Sequence, residues 1–373
     1  MSAIIERLFK IQQGFVDNVH GSIPTFYIER DERTKVNFGR LRDRLDSYSL
    51  IPMLREGEEK SQYILRIFSI RNELAAQLQQ RKKRKIPVQL ILLVTTLVTV
   101  TIAGYFISDA WFQSFGGGSL WEILPATAAY AASLMAILTV HELGHVIVCR
   151  ARGIKSTLPY FIPAPPWLGA GLYTPGTFGA LIVEKSPPTN RDELFDLGIA
   201  GPLSGFIVAI IVTVIGVSLS VNLPVTGPLA GIYPPPIMYL VLSLFPGLAV
   251  PGTYISLHPV AQAGFLGLII TSLNLFPVSQ LDGGHVSRAV FGVRGYRKAS
   301  AVSMILLLFL ALISVFFLPF AILILLFSFA GGHPGPLDDV SVIGKGRKLI
   351  MVLGFVVLFL SLPMEYLKLI FPS

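Results

Sequence analysis

The hydrophobic and polar positions divide the chain into two unlike parts. Residues 1–85 mix charged and apolar positions at short intervals, whereas long apolar runs dominate from residue 86 onward. Several runs reach the roughly 20 residues that a helix needs to cross about 30 Å of hydrocarbon. The pattern predicts an α-helical polytopic membrane protein, with about seven or eight transmembrane helices and re-entrant elements, preceded by a small soluble α+β domain.

The polar N-terminal part predicts a mixed fold. Alternating apolar and polar positions at 25–30 and 62–68 indicate strands, while the spacing at 37–50 and 71–80 is typical of helices. Its function is not readable from the sequence. The expected division is a cytoplasmic α+β domain over residues 1–85, a membrane core over 86–330, and a polar loop with a C-terminal transmembrane helix over 331–373.

The apolar runs also predict the course of the chain through the membrane. The basic run at 81–85 places the N-terminal domain in the cytoplasm by the positive-inside rule. Residues 228–250 are broken by three prolines and predict a re-entrant element. The run at 299–330 is too long for one crossing and short for two, which leaves the helix count at seven or eight. The predicted spans are 86–108, 125–150, 194–220, 259–276 and 348–369.

Composition and charge narrow the function classes. A chain with 53% hydrophobic and 14% charged residues and a mean hydropathy of +0.66 is not an ordinary soluble domain, so the lipid bilayer is its expected partner. The net charge of +8 lies mainly in the N-terminal segment and in loops that flank apolar runs, and we expect no nucleic-acid partner. The first ten residues predict no secretory signal peptide. Cys149 is the single cysteine, so a metal site must use histidines and carboxylates.

The sequence HELGH at 141–145 carries three ionisable side chains inside an otherwise apolar predicted helix. Spacing of i and i+4 puts His141 and His145 on one helix face, where both rings can reach one Zn²⁺, and it sets Glu142 toward a metal-bound water. A bare pentapeptide of this kind also arises by coincidence. In a membrane helix that alternative weakens, because buried ionisable groups are costly unless function or pairing offsets the cost.

A catalytic zinc needs a third protein ligand, and few candidates exist. Residues 197–281 contain no Asp, Glu, Lys or Arg, and Asp282 is the first charge after them. Pro277 ends or kinks the preceding apolar helix, and the glycines at 283–284 permit a tight turn, so Asp282 can be aimed back into the bundle. The alternatives are a helix cap or a structural partner for Arg288.

Two separated motifs together give the chain a family resemblance. HELGH at 141–145 and the downstream run NLFPVSQLDG at 274–283 make it resemble the site-2 proteases, a family of intramembrane zinc metalloproteases that release membrane-tethered proteins. The resemblance implies one zinc per chain held by His141, His145 and Asp282, with Glu142 as catalytic acid and base. Asn274 matches the motif asparagine, which is expected to contact the substrate or stabilise charge near the metal. Ser279 and Gln280 depart from the prolines of many members without touching a ligand position.

Further segments narrow the resemblance to one branch. PGTFGA at 175–180, KSP at 185–187, FD at 195–196 and AGP at 200–202, without a PDZ-like insert, resemble the archaeal and chloroplast branch of ethylene-dependent gravitropism-deficient and yellow-green-like proteases. The resemblance implies a membrane-dipping hairpin over about 156–184 that holds the substrate as an extended strand. The implied substrates are single-pass or tethered transmembrane proteins.

Two other functions compete with proteolysis, and the C-terminal loop adds a possible site. A transporter would be expected to show internal repeats or several charged helices, and an inactive relative would be expected to lack Glu142 or a ligand; the sequence shows neither feature. His333, Asp338 and Asp339 could form an accessory metal site, but a solvated connector is the favoured interpretation. His285, three residues after Asp282, is a candidate supporting residue for the metal site.

Overall fold

The structure is a computed structural model that describes most of the chain. It covers residues 2–17, 22–57, 62–69, 88–167, 174–225, 234–248, 250–278, 281–313, 317–318, 321–322, 325 and 333–363. The predicted helix at 71–80, the basic run at 81–85 and the pair Ser279 and Gln280 lie outside the described residues, as do parts of the predicted elements at 228–250, 299–330 and 348–369.

The N-terminal part forms a four-stranded antiparallel sheet of order β1-β2-β4-β3, covered by a helix. Phe38, Leu41 and Leu45 recur at helical spacing on one face of that helix and are buried against the sheet. The two strands predicted near 25–30 and 62–68 are confirmed. The bounds are α1 Ser2–Glu6, β1 Ile11–Asp17, β2 Ile23–Glu29, α2 Thr34–Asp46, β3 Leu50–Glu56 and β4 Gln62–Ser69.

Seven further α-helices and four short strands follow among the described residues. Among the described residues, four helices, α3, α4, α5 and α8, are long and apolar enough to cross a membrane, and α7 is a shorter apolar helix. The predicted count of seven or eight spans is therefore not confirmed. The bounds are α3 Val88–Gln113, α4 Leu120–Ala151, β5 Tyr160–Pro163, β6 Thr177–Leu181, α5 Arg191–Ser218, β7 Val221–Pro224, α6 Pro236–Ser243, β8 Thr253–Ser256, α7 Pro259–Asn274, α8 Asp282–Ile313 and α9 Lys345–Ser361.

Helix α5 lies at the centre of the membrane core, packed against α4, α7 and α8. Small residues let the helices approach closely, as small residues do in membrane bundles generally. A Cβ on Gly216 would lie 2.1 Å from the backbone nitrogen of Ala261 in α7. Strands β5 and β6 form an antiparallel hairpin beside α3 and α4, and the Thr99 hydroxyl donates to the Gly176 carbonyl at 2.7 Å. This arrangement holds the hairpin against the bundle.

The loop before α9 corrects one interpretation made from the sequence. Asp338 is fully buried and Asp339 is 4% exposed, so the interpretation of this loop as a solvated connector is wrong. The backbone amide of Leu54 in β3 donates to the Leu337 carbonyl at 2.8 Å, and Leu337 belongs to the hydrophobic core of the N-terminal sheet. On the other side, the Asp338 amide donates to the Thr189 carbonyl at 2.7 Å. The loop thus joins the N-terminal sheet to the start of α5.

Candidate metal centre

Helix α4 presents the two histidines of the HELGH run on its inner face. The helix begins at a capping box in which Ser119 and Glu122 bond to each other's backbone amides. Twenty residues on, His141 and His145 are each 4% exposed, and their ring centroids lie 5.1 Å apart. The i and i+4 spacing therefore places both rings one above the other, as the sequence predicted.

Asp282 meets these histidines from the first residue of α8. Its Oδ2 lies 3.0 Å from Nε2 of His141, and its Oδ1 lies 3.3 Å from Nε2 of His145. One ligand atom from each of the three residues lies within 4.8 Å of the other two. The alternative pairing of Asp282 with Arg288 is wrong, because Arg288 forms a bidentate pair with Asp339 at 2.7 and 2.5 Å.

The backbone around Asp282 differs from the expected tight turn. The glycine pair does not form a turn after the aspartate but lies in the first turn of α8, which begins at Asp282 itself. Glycine is needed at 283 for a different reason, since a Cβ there would lie 2.0 Å from the Leu275 carbonyl oxygen. The close approach of α8 to the end of α7 brings the carboxylate into the bundle.

Asn274 and Glu142 complete the cluster predicted from the sequence. Asn274 is the last residue of α7, and its Nδ2 lies 3.3 Å from Nε2 of His141. Glu142 is 4% exposed, and within the described part of the chain its Oε2 has no hydrogen-bond partner. A buried carboxylate oxygen without a partner is costly, and it leaves an acceptor free for a water or a substrate group.

The donor set fits a divalent zinc ion. Two imidazole nitrogens and one carboxylate oxygen are a typical protein set for catalytic zinc, and they leave one coordination position open. The carbonyl of Leu197 lies 2.8 Å from Nδ1 of His145, which assigns the proton to Nδ1 and leaves the Nε2 lone pair facing Asp282. Gly201 provides the room for this ring, because a Cβ there would lie 2.0 Å from Nε2.

Comparison with known protein families assigns the membrane core to one family. Residues 129–317 match the model of the family described as Peptidase family M50, which is just over half of the chain. The chain belongs to Peptidase family M50. The matched residues include all five positions of the site predicted above. This M50 chain also fits the branch predicted from the sequence, because its curated relatives carry names of that branch.

Three relatives show how far the likeness of the M50 chain extends. It is 28% identical over 252 residues to "Probable zinc metalloprotease EGY1, chloroplastic" of Arabidopsis thaliana, covering 65% of this chain and 44% of the relative. It is 31% identical over 244 residues to the EGY2 protein of the same plant, covering 61% and 39%. It is 26% identical over 234 residues to the EGY3 protein of Oryza sativa subsp. indica, covering 57% and 36%.

These relatives are considerably longer than the matched region. The M50 chain spans about two fifths of the length of the curated relatives it matches. No solved structure matches the chain.

Sequence reasoning offered His285 as a supporting residue for the metal site but did not predict its contacts with Glu184 and His333. His285 lies one turn after Asp282, and its two ring nitrogens face the Leu281 carbonyl at 3.1 Å and the Glu184 carboxylate at 3.2 Å. The ring of His333 stacks edge-on against His285 with centroids 4.5 Å apart. Burial, followed by the charges of His285 and Arg288, lowers the pKa of His333 to about 2, so this ring is neutral. The only sequence signal for these contacts is that His285 follows Asp282 by three residues.

Proposed function

We propose that this protein is an intramembrane zinc metalloprotease that hydrolyses peptide bonds of transmembrane substrates with a metal-activated water. One observation carries the proposal. The buried donor atoms of His141, His145 and Asp282 converge within 4.8 Å, and Glu142, the residue after His141, keeps a buried carboxylate oxygen that has no hydrogen-bond partner among the described residues. A structural ion-pair cluster has no need of such an uncompensated group.

Each residue has a distinct role in this chemistry. His141, His145 and Asp282 would hold one zinc ion per chain, which when bound supplies a Lewis acid for the scissile carbonyl and lowers the pKa of a water from about 15.7 toward 7. Glu142 accepts the proton of the attacking water and later delivers it to the leaving amine. Asn274, whose amide nitrogen lies 3.3 Å from Nε2 of His141, donates to the substrate carbonyl or its developing charge.

A transmembrane substrate must unwind before it can be cleaved. Its peptide carbonyls are engaged in helical hydrogen bonds, and hydrocarbon offers no replacement partners. The β5–β6 hairpin lies beside α3 and α4, and an exposed strand edge can supply backbone partners to an extended substrate. We therefore assign the hairpin to substrate binding, with single-pass or tethered transmembrane proteins as the substrate class.

The proposal includes the wider architecture predicted from the sequence. It comprises seven or eight spans with re-entrant elements, a cytoplasmic N-terminal domain over 1–85, the protease core over 86–330 and a C-terminal section over 331–373. The four long apolar helices α3, α4, α5 and α8 support the polytopic part of this architecture. No observation favours a transporter or an inactive relative, since Glu142 and all three candidate ligands are present.

The test compares wild type with Glu142→Gln, purified in detergent and placed in nanodiscs with a transmembrane reporter. The amide keeps the shape of the side chain but does not accept the proton of the water, so cleavage should fall by a factor of about 10²–10⁴ while zinc content stays near one per chain. Cleavage by Glu142→Gln at the wild-type rate, or an active wild type without zinc, would refute the proposal.

A further inference from the structure

A cleft of about 440 Å³ opens at the end of α4, next to the open end of the β5–β6 hairpin. Val146, which follows the candidate ligand His145, lies in its wall. The charged side chains that line the cleft are Arg150, Lys155 and Lys185, and all three are exposed. The cleft is thus positively charged, and its wall includes the residue that follows the candidate ligand His145 in the sequence.

The two lysines of this cleft occupy opposite positions of one antiparallel ladder. Ser156 pairs with Glu184 in an isolated antiparallel bridge, and the backbone amide of Lys185 donates to the Lys155 carbonyl at 2.6 Å. Like charges directly opposite each other destabilise a pair of strands. Arg150 adds a third positive charge from the last turn of α4. Such a cluster is stabilised by an anionic group bound between its members.

The described part of the chain does not supply that anion. Glu184 is paired with His285 at 3.2 Å, and Asp196 pairs with Arg347 at 2.7 Å and with Arg152. Arg152 is therefore neutralised, whereas none of the ion pairs of the described residues includes Arg150, Lys155 or Lys185. The cleft therefore has an uncompensated positive charge.

On the basis of the proposed function, we propose that this cleft binds acidic side chains of the substrate on the side of the membrane where α4 ends. Arg150 follows His145 by five residues, which is about 7.5 Å along a helix. An extended substrate advances about 3.3 Å per residue. The cleft therefore favours cleavage of substrates that carry Asp or Glu about two to four residues from the cleaved bond.

The experiment uses two reporters that differ only at these positions, one with Glu and one with Gln, in nanodiscs of phosphatidylcholine alone. Wild type is compared with the cleft variant Arg150→Gln, Lys155→Gln, Lys185→Gln. Wild type should cleave the Glu reporter with a kcat/KM about tenfold higher than the Gln reporter, the size expected for a few exposed charge pairs. The cleft variant should cleave both reporters at the rate at which wild type cleaves the Gln reporter.

A matched control uses Arg294, Arg297 and Lys298, which are exposed basic residues of α8 that do not line the cleft. Changing all three to Gln should leave the preference for Glu intact. Equal loss in this control, equal cleavage of both reporters by wild type, or an equal drop for both reporters in the cleft variant would overturn the inference. Cleavage of neither reporter by wild type would overturn the proposed function and this inference with it.

A second arm separates acidic side chains from anionic lipid headgroups. Phosphatidylglycerol is added to the nanodiscs, and the same reporters are compared at the same salt concentration. If the cleft binds substrate carboxylates, the tenfold preference is present without phosphatidylglycerol. If phosphatidylglycerol alters cleavage only when the cleft is intact and no preference exists without it, the cleft binds lipid and the inference is wrong.

Discussion

Two clusters of buried charge lie on α8, six residues apart, and they differ in how completely their groups are satisfied. At Arg288 the guanidinium and the Asp339 carboxylate form a bidentate pair at 2.7 and 2.5 Å, and the Arg191 side chain also reaches Asp339. At Asp282 the carboxylate faces two imidazoles, and the neighbouring Glu142 keeps a buried oxygen without a partner in the described part of the chain. The charged groups of the Arg288 cluster are thus paired with one another, whereas the Asp282 cluster contains a buried oxygen without a partner among the described residues.

We infer from this difference that the Arg288 cluster stabilises the fold and that the Asp282 cluster serves the chemistry. Burial of charge is costly in both places, since a buried ion must be paired and hydrogen-bonded. The Arg288 cluster offsets the cost by its own contacts and joins the loop before α9 to the membrane core. Under the proposed function, a bound cation and a water offset the cost in the Asp282 cluster. We therefore expect substitutions in the first cluster to lower stability and substitutions in the second to abolish activity.

The largest expected effect is that of Asp282→Asn. The amide is a poorer, neutral donor to zinc, so zinc content should fall and cleavage of a transmembrane reporter should drop by about a thousandfold or more. The thermal unfolding midpoint of the metal-free protein should remain within a few degrees of metal-free wild type. Zinc by mass spectrometry, cleavage and unfolding are measured together.

Its control must be an exposed carboxylate whose contacts are confined to the protein surface, such as Asp43 with its partially exposed neighbour Arg42 at 3.1 Å. Asp338 is unsuitable because it is fully buried and accepts bonds from the backbone amides of Val340 and Ser341 at 3.1 Å. Asp43 is suitable, since its side chain is 69% exposed on α2. Asp43→Asn should keep wild-type zinc and cleavage, and normal zinc in Asp282→Asn would remove Asp282 from the ligand set.

The second prediction concerns Asp339→Ala. Removal of this carboxylate leaves the buried Arg288 charge unpaired and should lower the free energy of unfolding by about 3–5 kcal/mol. The double variant Arg288→Met, Asp339→Leu should recover most of that loss, because an apolar pair needs no counter-charge. Unfolding is followed by denaturant titration in detergent. A loss below about 1 kcal/mol in Asp339→Ala would show that the pair is not structural.

The third prediction uses Gly201→Ala to disturb the metal centre without changing any charge. The added Cβ would lie 2.0 Å from Nε2 of His145, so the ring must move. A displacement of about 1 Å costs about 100-fold in rate, and cleavage should fall accordingly. Gly39→Ala in α2 is the control, because nothing lies within 4 Å of its Cβ, and it should stabilise the protein by about 0.5–1 kcal/mol. Unchanged cleavage in Gly201→Ala would contradict the close packing of α5 against the histidine.

The smallest effect is expected for an ion pair that is open to solvent. Lys35 of α2 and Asp192 of α5 lie 2.5 Å apart, with side chains 36% and 16% exposed. Solvent screening limits such a pair to about 0–1 kcal/mol, so Lys35→Met should shift the free energy of unfolding by no more than this. Rising salt should reduce the difference between the two proteins. A salt-independent loss above about 2 kcal/mol would place this pair with the buried Arg288 cluster.

The candidate metal site could be predicted from the sequence because its ionisable residues stand out against apolar surroundings. HELGH interrupts a hydrophobic helix, and Asp282 ends a long stretch without charge, so both attract attention without any structural knowledge. The structure brings His141, His145, Asp282 and Asn274 together. The carbonyl of Leu197 and the space provided by Gly201 were not predictable, because backbone contacts between helices leave no pattern in the sequence.

Three features of the fold escaped prediction for physical reasons. Strand β1 is an edge strand whose inner positions are all exposed, so it lacks the alternation that marked β2 and β4. The predicted helix at 37–50 is wrong at its end, because α2 stops at Asp46, residues 47–49 form a turn and β3 begins at Leu50. The burial of Asp339 depends on Arg288, 51 residues earlier, and contacts at that separation are not encoded in local spacing.

The contact between Leu54 and Leu337 has a consequence for biosynthesis. The β3 strand leaves the ribosome well before its partner segment, because Arg55 and Leu337, which share a hydrogen bond, are 282 residues apart. Domains generally fold as they are synthesised, from the N-terminus onward. The edge of β3 therefore stays without this partner until the intervening helices have been synthesised, so the contact with Leu337 forms only after them.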